Sequence, residues 1–238
     1  MKLLTVGDLH YNIRQFDWLL QCAEQYEAVI IAGDLLNIAG YVDVDTQILV
    51  VRKYLQRLKE RTTVMVCSGN HDLDEKDPDG EFHADWLRDK ALDGLHGDGA
   101  GCDLAGWHFS LCPWWDGPAE RRGVGEFIQS EARRGFDRWI VVHHAPPSGT
   151  RTAWSGKREF GDDQLRSLIE EHPPQIVLSG HVHQAPFRQE HGWYDRIGET
   201  WVFNAGFQIG PIPACLVFDL EAGEVTWTSL AGRETVSL

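Results

Sequence analysis

An α/β fold built on a parallel sheet is what this 238-residue sequence predicts, on three observations. Short runs that are apolar at every position recur along the chain, as expected of strands covered on both faces. Stretches with apolar residues at helical spacing separate the first of these runs. The runs stop abruptly at clusters of Gly, Asp, Asn and His, a pattern that packing alone does not require.

Lys2 to Val6 is the first run, too short for a helix, and it breaks at Gly7-Asp8-Leu9-His10. Phe16, Leu19, Leu20, Ala23 and Tyr26 then mark a helix, and Ala28 to Ala32 is a second strand ending at Gly33-Asp34. Ile48, Val51, Leu55 and Leu58 give another helical stripe, followed by Thr63 to Val66 and the polar stretch Cys67-Ser68-Gly69-Asn70-His71-Asp72. Strand, helix, strand, helix, strand is most economically a parallel sheet with right-handed crossovers. Loops at the carboxyl ends of parallel strands share one edge, where open α/β sheets place their ligands.

The middle is less regular. Leu73 to Asp79 reads as a charged loop, Phe82 to Leu92 as a short helix, Leu95 to Gly101 as glycine-rich, and Trp107 to Leu111 as an alternating strand ended by Pro113-Trp114-Trp115. Ala119 to Gly135 has helical composition weakened by Gly123 and Gly125. Trp139 to Val142 is again fully apolar and stops at His143-His144. A helix is expected from about Asp162, with Leu165, Leu168 and Ile169 on one face, before Gln175 to Ser179 stops at Gly180-His181-Val182-His183. Strands at Thr200 to Phe203, Pro213 to Leu220 and Val225 to Leu230 complete the chain, the last two as a hairpin.

The composition, 42% hydrophobic and 24% charged, is that of an ordered globule, read as one domain over residues 1–238. A formal charge of −14 argues against a broad non-specific grip on nucleic acid, which rests on Lys and Arg neutralising phosphates. No apolar run is long enough to span a membrane. The five cysteines, 22, 67, 102, 112 and 215, have no C-x-x-C spacing, and no secretory signal precedes the first strand, so reduced thiols in a cytoplasmic protein are expected.

Any one of the polar clusters would ordinarily be a turn or a solvated loop. Five of them after successive buried strands are a constellation. Asp8, His10, Asp34, Asn70, His143, His181 and His183 supply seven donors, four to each of two ions if Asp34 is shared. Imidazole and oxygen donors without thiolate suit Mn²⁺, Fe, Co²⁺, Ni²⁺ or Zn²⁺ better than Ca²⁺ or Mg²⁺. Two divalent transition-metal ions are therefore expected, Mn²⁺ ahead of the others. Cys67 reads as a small residue at a buried strand end.

The ordered set D-x-H (Asp8, His10), G-D (Gly33, Asp34), G-N-H-D (Gly69 to Asp72), H-H-x-P (His143 to Pro146) and G-H-x-H (Gly180 to His183) resembles the calcineurin-like metallophosphoesterase superfamily. Asn204-Ala205-Gly206 resembles the strand-ending N-x-G that often follows in bacterial members. The resemblance implies a four-layer αββα sandwich of two mixed sheets flanked by helices. It also implies hydrolysis of a phosphomonoester or phosphodiester, with a metal-bound hydroxide as nucleophile. Asp8, His10 and His183 would hold one metal, Asp34 would bridge, and Asn70, His181 and one of His143 or His144 would hold the second. Ending the strand at Val142 selects His143, whereas counting back from Pro146 selects His144, and His143 is preferred. His71 would face the substrate, stabilising the phosphoryl group or protonating the leaving oxygen, with Asp72 orienting it.

The substrate is less legible. A small phosphoester is favoured by the acidic balance. A nuclease or nucleic-acid end-processing enzyme would use Trp114-Trp115, Trp154 and the Arg121-Arg122 and Arg133-Arg134 pairs, although core or rim packing and solvated helix faces are the favoured explanation of each. A non-catalytic scaffold on the same fold is the third reading, disfavoured because every ligand position is filled. The loop from Pro146 to Phe160, with Arg151, Trp154, Lys157 and Arg158, is expected to line the substrate side, Arg151 as a substrate-binding residue.

Overall fold

A computed structural model describes residues 1–88, 94–188 and 192–238. The predicted strand–helix alternation is present: β1 (Lys2–Val6), α1 (Ile13–Cys22), β2 (Ala28–Ala32), α2 (Val44–Lys59) and β3 (Thr63–Cys67). Both β1–β2 and β2–β3 are parallel. Helix α2 begins where the Asp43 side chain accepts the Thr46 N–H, and ends with Arg57 and Lys59 in its last turn, as the helix dipole favours.

Two short strands follow, β4 (Glu75–Lys76) and β5 (Phe82–His83), then β6 (Gly101–Leu104), β7 (Trp107–Leu111), α3 (Pro118–Ala132), β8 (Trp139–Val142), α4 (Asp163–Glu171) and β9 (Ile176–Ser179). The remaining strands are β10 (Tyr194–Ile197), β11 (Thr200–Asn204), β12 (Cys215–Asp219), β13 (Glu224–Ser229) and β14 (Gly232–Ser237). The helix expected from Phe82 to Leu92 is corrected in its described part. Phe82–His83 pairs with β4 and only Asp85–Leu87 forms one 3₁₀ turn, while residues 89–92 lie outside the described residues.

One six-stranded sheet runs β14-β13-β12-β1-β2-β3 and the other β10-β11-β9-β8-β7-β6. Each has a parallel centre, with β12, β13 and β14 antiparallel in the first, and β6 and β10 in the second. Alternate residues of β1 and β2 face opposite ways. Leu4, Val6, Val29 and Ile31 pack under α1 and α2, whereas Leu3, Ala28, Ile30 and Ala32 meet Phe109, Ile140, Val142 and Leu178 of the second sheet. On the far side of that sheet, Val141 and Val177 pack against Ile128 of α3 and Leu165 of α4. Three apolar interfaces thus separate four layers, helix, sheet, sheet and helix, as the resemblance implied. The five cysteines are free and buried. No helix among the described residues is long and apolar enough to cross a membrane.

Candidate metal centre

The carboxyl ends of β1, β2 and β3 in one sheet and β8 and β9 in the other open at a common edge between the sheets. Their polar clusters continue the sheet hydrogen bonding for a residue or two. Asp8 N–H donates to the Gly33 carbonyl (3.0 Å), His10 N–H to the Asp34 carbonyl (2.9 Å), and Gly180 N–H to the His144 carbonyl (2.9 Å). There the backbone leaves the ordinary regions. Asp8, His10, Asp34 and His181 have φ of 54°, 43°, 54° and 65°, left-handed conformations that cost a non-glycine residue about 1–3 kcal/mol each. Four ligand candidates sharing this strain shows that the surrounding hydrogen bonds hold the turns against local preference.

Asp8, His10, Asp34 and His183 bring their donor atoms within 4.8 Å of one another. His183 Nε2 is 3.2 Å from Asp8 Oδ1, and His10 Nε2 is 3.0 Å from His183 Nε2 and 3.8 Å from Asp34 Oδ2. Against the same Asp34 carboxylate lies a second group. His144 Nε2 is 3.2 Å from Asp34 Oδ2, and His181 Nδ1 is 2.9 Å from Asn70 Oδ1. Two glycines permit this closeness. A Cβ at Gly69 would stand 2.8 Å from His144 Cδ2, and one at Gly180 would stand 2.7 Å from Asp8 Oδ2.

The preference for His143 over His144 is corrected. Along β8 the side chains alternate, so Trp139 and Val141 face α3 and α4 while Ile140 and Val142 face the first sheet. His143 continues the first set. Its ring lies 4.1 Å from Trp115, its Nδ1 is 3.0 Å from the Ala145 carbonyl, and burial lowers its pKa to about 4. His144 continues the second set. Its Nδ1 donates to the Ala32 carbonyl at 2.7 Å, which leaves Nε2 turned to the carboxylates.

The electrostatics draw a cation to this point. Burial opposes ionisation of Asp34, but His144 and His71 outweigh it and hold the carboxyl well below its usual range. Asp8 is likewise lowered, against burial, by His183 and His144. Burial opposes a charged His144 too, yet Asp34 and Asp8 raise its pKa to about 9. Burial, ahead of the His144 charge, pushes His181 down to about 4, leaving a neutral imidazole. Asp8 Oδ2 and His144 Nε2 are buried without a hydrogen-bond partner. Two buried carboxylates that raise the proton affinity of the imidazole facing them form a site where a divalent cation could stand in place of that proton. A second group, Asp77, His83 and Glu120, is more exposed, and Arg88 already pairs with its Glu120 at 3.5 Å.

His71 is half-buried beside the first group. Its backbone N–H donates to Asp34 Oδ1 (2.9 Å), its ring centroid is 4.6 Å from that of His10, and its Nδ1 has no partner. The expectation that Asp72 orients His71 is corrected. Asp72 Oδ1 accepts the Leu36 N–H and Oδ2 accepts the Gly69 N–H, so this buried carboxyl fixes the turn rather than the imidazole. Burial, followed by the nearby Asp34 charge, raises its pKa to about 8.

Arg151 lies against the segment that leads into β10. Its backbone N–H donates to Asp195 at 2.6 Å, and its guanidinium lies where a Cβ on Gly192 would be 3.4 Å away. From the same loop it is Phe160 that approaches, with its ring 6.1 Å from that of His181. Phe207 stands 4.9 Å from His183 and Trp114 stands 5.2 Å from His181, so half-buried aromatic rings flank both donor groups. Sequence reasoning gave Phe160 and Phe207 no role, and only the spacing of Phe207 three residues beyond Asn204 could have suggested one.

The family model described as calcineurin-like phosphoesterase matches residues 1–185, a span that contains every donor named above. Among solved structures, a protein of Thermus thermophilus is similar with a TM-score of 0.62 at 15% identity, over 99% of this chain and 98% of that one. A dimetal phosphatase from Danio rerio is similar at 0.59 and 10% identity, over 100% and 98% of the two chains. The purple acid phosphatase PPD1 of yellow lupin is similar at 0.58 and 15% identity, over 100% of this chain and 53% of that one. A search of curated protein sequences found no match.

Proposed function

The chain belongs to the calcineurin-like phosphoesterase family and is a metal-dependent phosphoesterase, and from that premise we propose a binuclear hydrolase acting on small phosphomonoesters or phosphodiesters. The observation that carries the binuclear reading is Asp34, whose Oδ2 is 3.8 Å from His10 Nε2 on one side and 3.2 Å from His144 Nε2 on the other. Asp8, His10 and His183 would share it with one ion, and Asn70, His144 and His181 with the other. Carboxylate, amide and imidazole donors without thiolate suit a divalent transition metal, and Mn²⁺ is the first candidate among Mn²⁺, Fe, Co²⁺, Ni²⁺ and Zn²⁺. When bound, two such ions supply Lewis acidity for activating water and for neutralising phosphate charge.

The protein's own groups account for the rest. His71, whose ring lies 4.6 Å from that of His10 and whose buried Nδ1 has no partner, would donate to a phosphoryl oxygen or to the leaving oxygen. Asp72 acts through the backbone, holding Gly69 and Leu36 and so the Asn70-His71 turn. Trp114, Phe160 and Phe207 limit solvent access to the imidazoles.

A small substrate is favoured over a nucleic acid. Trp115 is buried and donates to Asp162, Arg121 is paired with Asp162 and Arg134 with Glu131, which removes much of the cationic and aromatic surface a strand would use. The decisive assay compares p-nitrophenyl phosphate, its bis-ester and single-stranded DNA or RNA with Mn²⁺-loaded protein, alongside metal content. Hydrolysis of a nitrophenyl ester with two ions per chain is expected. Cleavage of nucleic acid alone would favour the nuclease, and no turnover by fully loaded protein would favour a scaffold.

A further inference from the structure

Positive charge is distributed unevenly around the centre. The loop over residues 146–160 leaves the end of β8, and residues 184–188 follow His183 beyond β9, so both depart from ligand-bearing strand ends. They meet at Gly156, where an added Cβ would stand 3.4 Å from Arg188 Nε. The acid in the first loop is Glu159, and its carboxylate turns back to accept the Gly149 N–H. Lys157, Arg158 and Arg188 are exposed and have no carboxylate partner among the described residues. Elsewhere Arg61, Arg88, Arg121, Arg134, Arg166 and Arg196 are each paired with an acid.

Arg158 is also held in place. Its Cζ lies 4.3 Å from the centroid of Phe160, whose ring meets that of His181 edge-on at 6.1 Å. The guanidinium is thus within roughly 10 Å of a proposed ligand ring. Stacking on an aromatic face leaves the N–H edge of an arginine free, and that edge matches a phosphate bidentately. In a chain of net charge −14, Arg158 on Phe160 and Arg188 against Gly156, on two loops that leave ligand-bearing strands and without a carboxylate partner among the described residues, offer an anion a cationic seat beside the centre.

We infer that Arg158, supported by Lys157 and Arg188, is a second anion subsite, and that the substrate class is a small organic bisphosphate. One phosphate would lie at the metal centre and the other on Arg158. This inference rests on the phosphoesterase reading of the centre. The shared chemistry is the second phosphate, which a sugar or a nucleoside could carry.

The test compares fructose 1,6-bisphosphate with fructose 6-phosphate, and adenosine 3′,5′-bisphosphate with adenosine 5′-monophosphate. kcat/KM is measured on Mn²⁺-loaded protein, and equilibrium binding is measured with non-hydrolysable phosphonate analogues. In at least one pair the second phosphate should raise both quantities at least tenfold, and the responsive pair identifies the carrier. Arg158→Gln should reduce that preference about tenfold, mainly through KM, whereas Arg233→Gln on the distant edge strand β14 should not. Absence of a preference in both pairs, or its survival in Arg158→Gln, overturns the subsite. If no ester is turned over but the binding preference depends on Arg158, the hydrolase reading fails and the subsite stands.

Discussion

Asp98 offers a test of how the Asn70-His71 turn is supported. Its Oδ1 accepts the Ser68 N–H at 2.8 Å, and Ser68 Oγ in turn accepts the Trp114 N–H at 2.9 Å, so one buried carboxyl ties β3's exit to the aromatic wall of the site. Burial raises its pKa from 3.8 to about 7, offset in part by the Ser68 hydrogen bonds. A folded-state pKa above the unfolded value means that the folded chain holds the proton longer. The penalty is absent below pH about 4, grows as pH rises, and is complete above pH about 7. At about 1.4 kcal/mol per unit, the shift amounts to about 4 kcal/mol of stability lost across that window. Solvent reaching Asp98 through the cavity of about 300 Å³ that it shares with His83, Arg88 and Glu120 reduces this figure. Asp98→Asn keeps an oxygen for the Ser68 N–H but cannot ionise. Urea unfolding at half-unit steps from pH 4 to 8 should show the variant gaining on the parent by up to about 4 kcal/mol, with the whole gain below pH 7.5. A difference between the two proteins that does not vary with pH would refute the reasoning.

Three further outcomes address the centre directly. His144→Gln should lower bound Mn²⁺ by about one ion per chain, measured by elemental analysis, whereas His143→Gln should keep both ions and lose of the order of 1 kcal/mol of stability through its Ala145 contact. Gly69→Ala places a methyl 2.8 Å from His144 Cδ2, and an ångström-scale displacement of ligands should lower kcat roughly 100-fold in a steady-state assay. His71→Ala should cost roughly 100-fold or more on an alkyl phosphoester and little on a p-nitrophenyl ester, whose leaving group needs no proton. Equal losses on the two esters would assign His71 to phosphate binding instead.

The parallel strands and the donor set were legible because burial on both faces writes an uninterrupted apolar run, and a polar residue ending such a run stands out. The same uniformity hid the choice between His143 and His144. Trp139 to Val142 is apolar throughout, so nothing in the sequence says which alternate set faces the first sheet. Strand β14 escaped for the opposite reason: Arg233, Glu234 and Thr235 lie exposed at a sheet edge, where pairing requires no apolar pattern. The resemblance that places Asp72 on His71 carries no information about the turn itself, which takes both carboxyl oxygens as acceptors for the Leu36 and Gly69 N–H groups.

The left-handed residues join these observations. In a strand that ends normally, successive side chains diverge to opposite faces, and Asp8 and His10 would share a face only as the first and third residues of a continuing strand. Instead Asp8, His10 and Tyr11 adopt φ of 54°, 43° and 56° and stay hydrogen-bonded to Gly33, Asp34 and Leu35, so the chain curls over the sheet edge and turns its donors inward. Asp34 and His181 do the same from β2 and β9. The strain therefore falls on the residues that must converge, and the packed sheets beneath them supply the stability that sustains it. On this account, replacing Asp34 by Gly should relieve the backbone while deleting the shared carboxylate. Asp34→Gly should therefore be more stable to urea than Asp34→Ala, which loses the same carboxylate but keeps the strained φ, while neither binds a metal pair; equal stability of the two would refute the strain account.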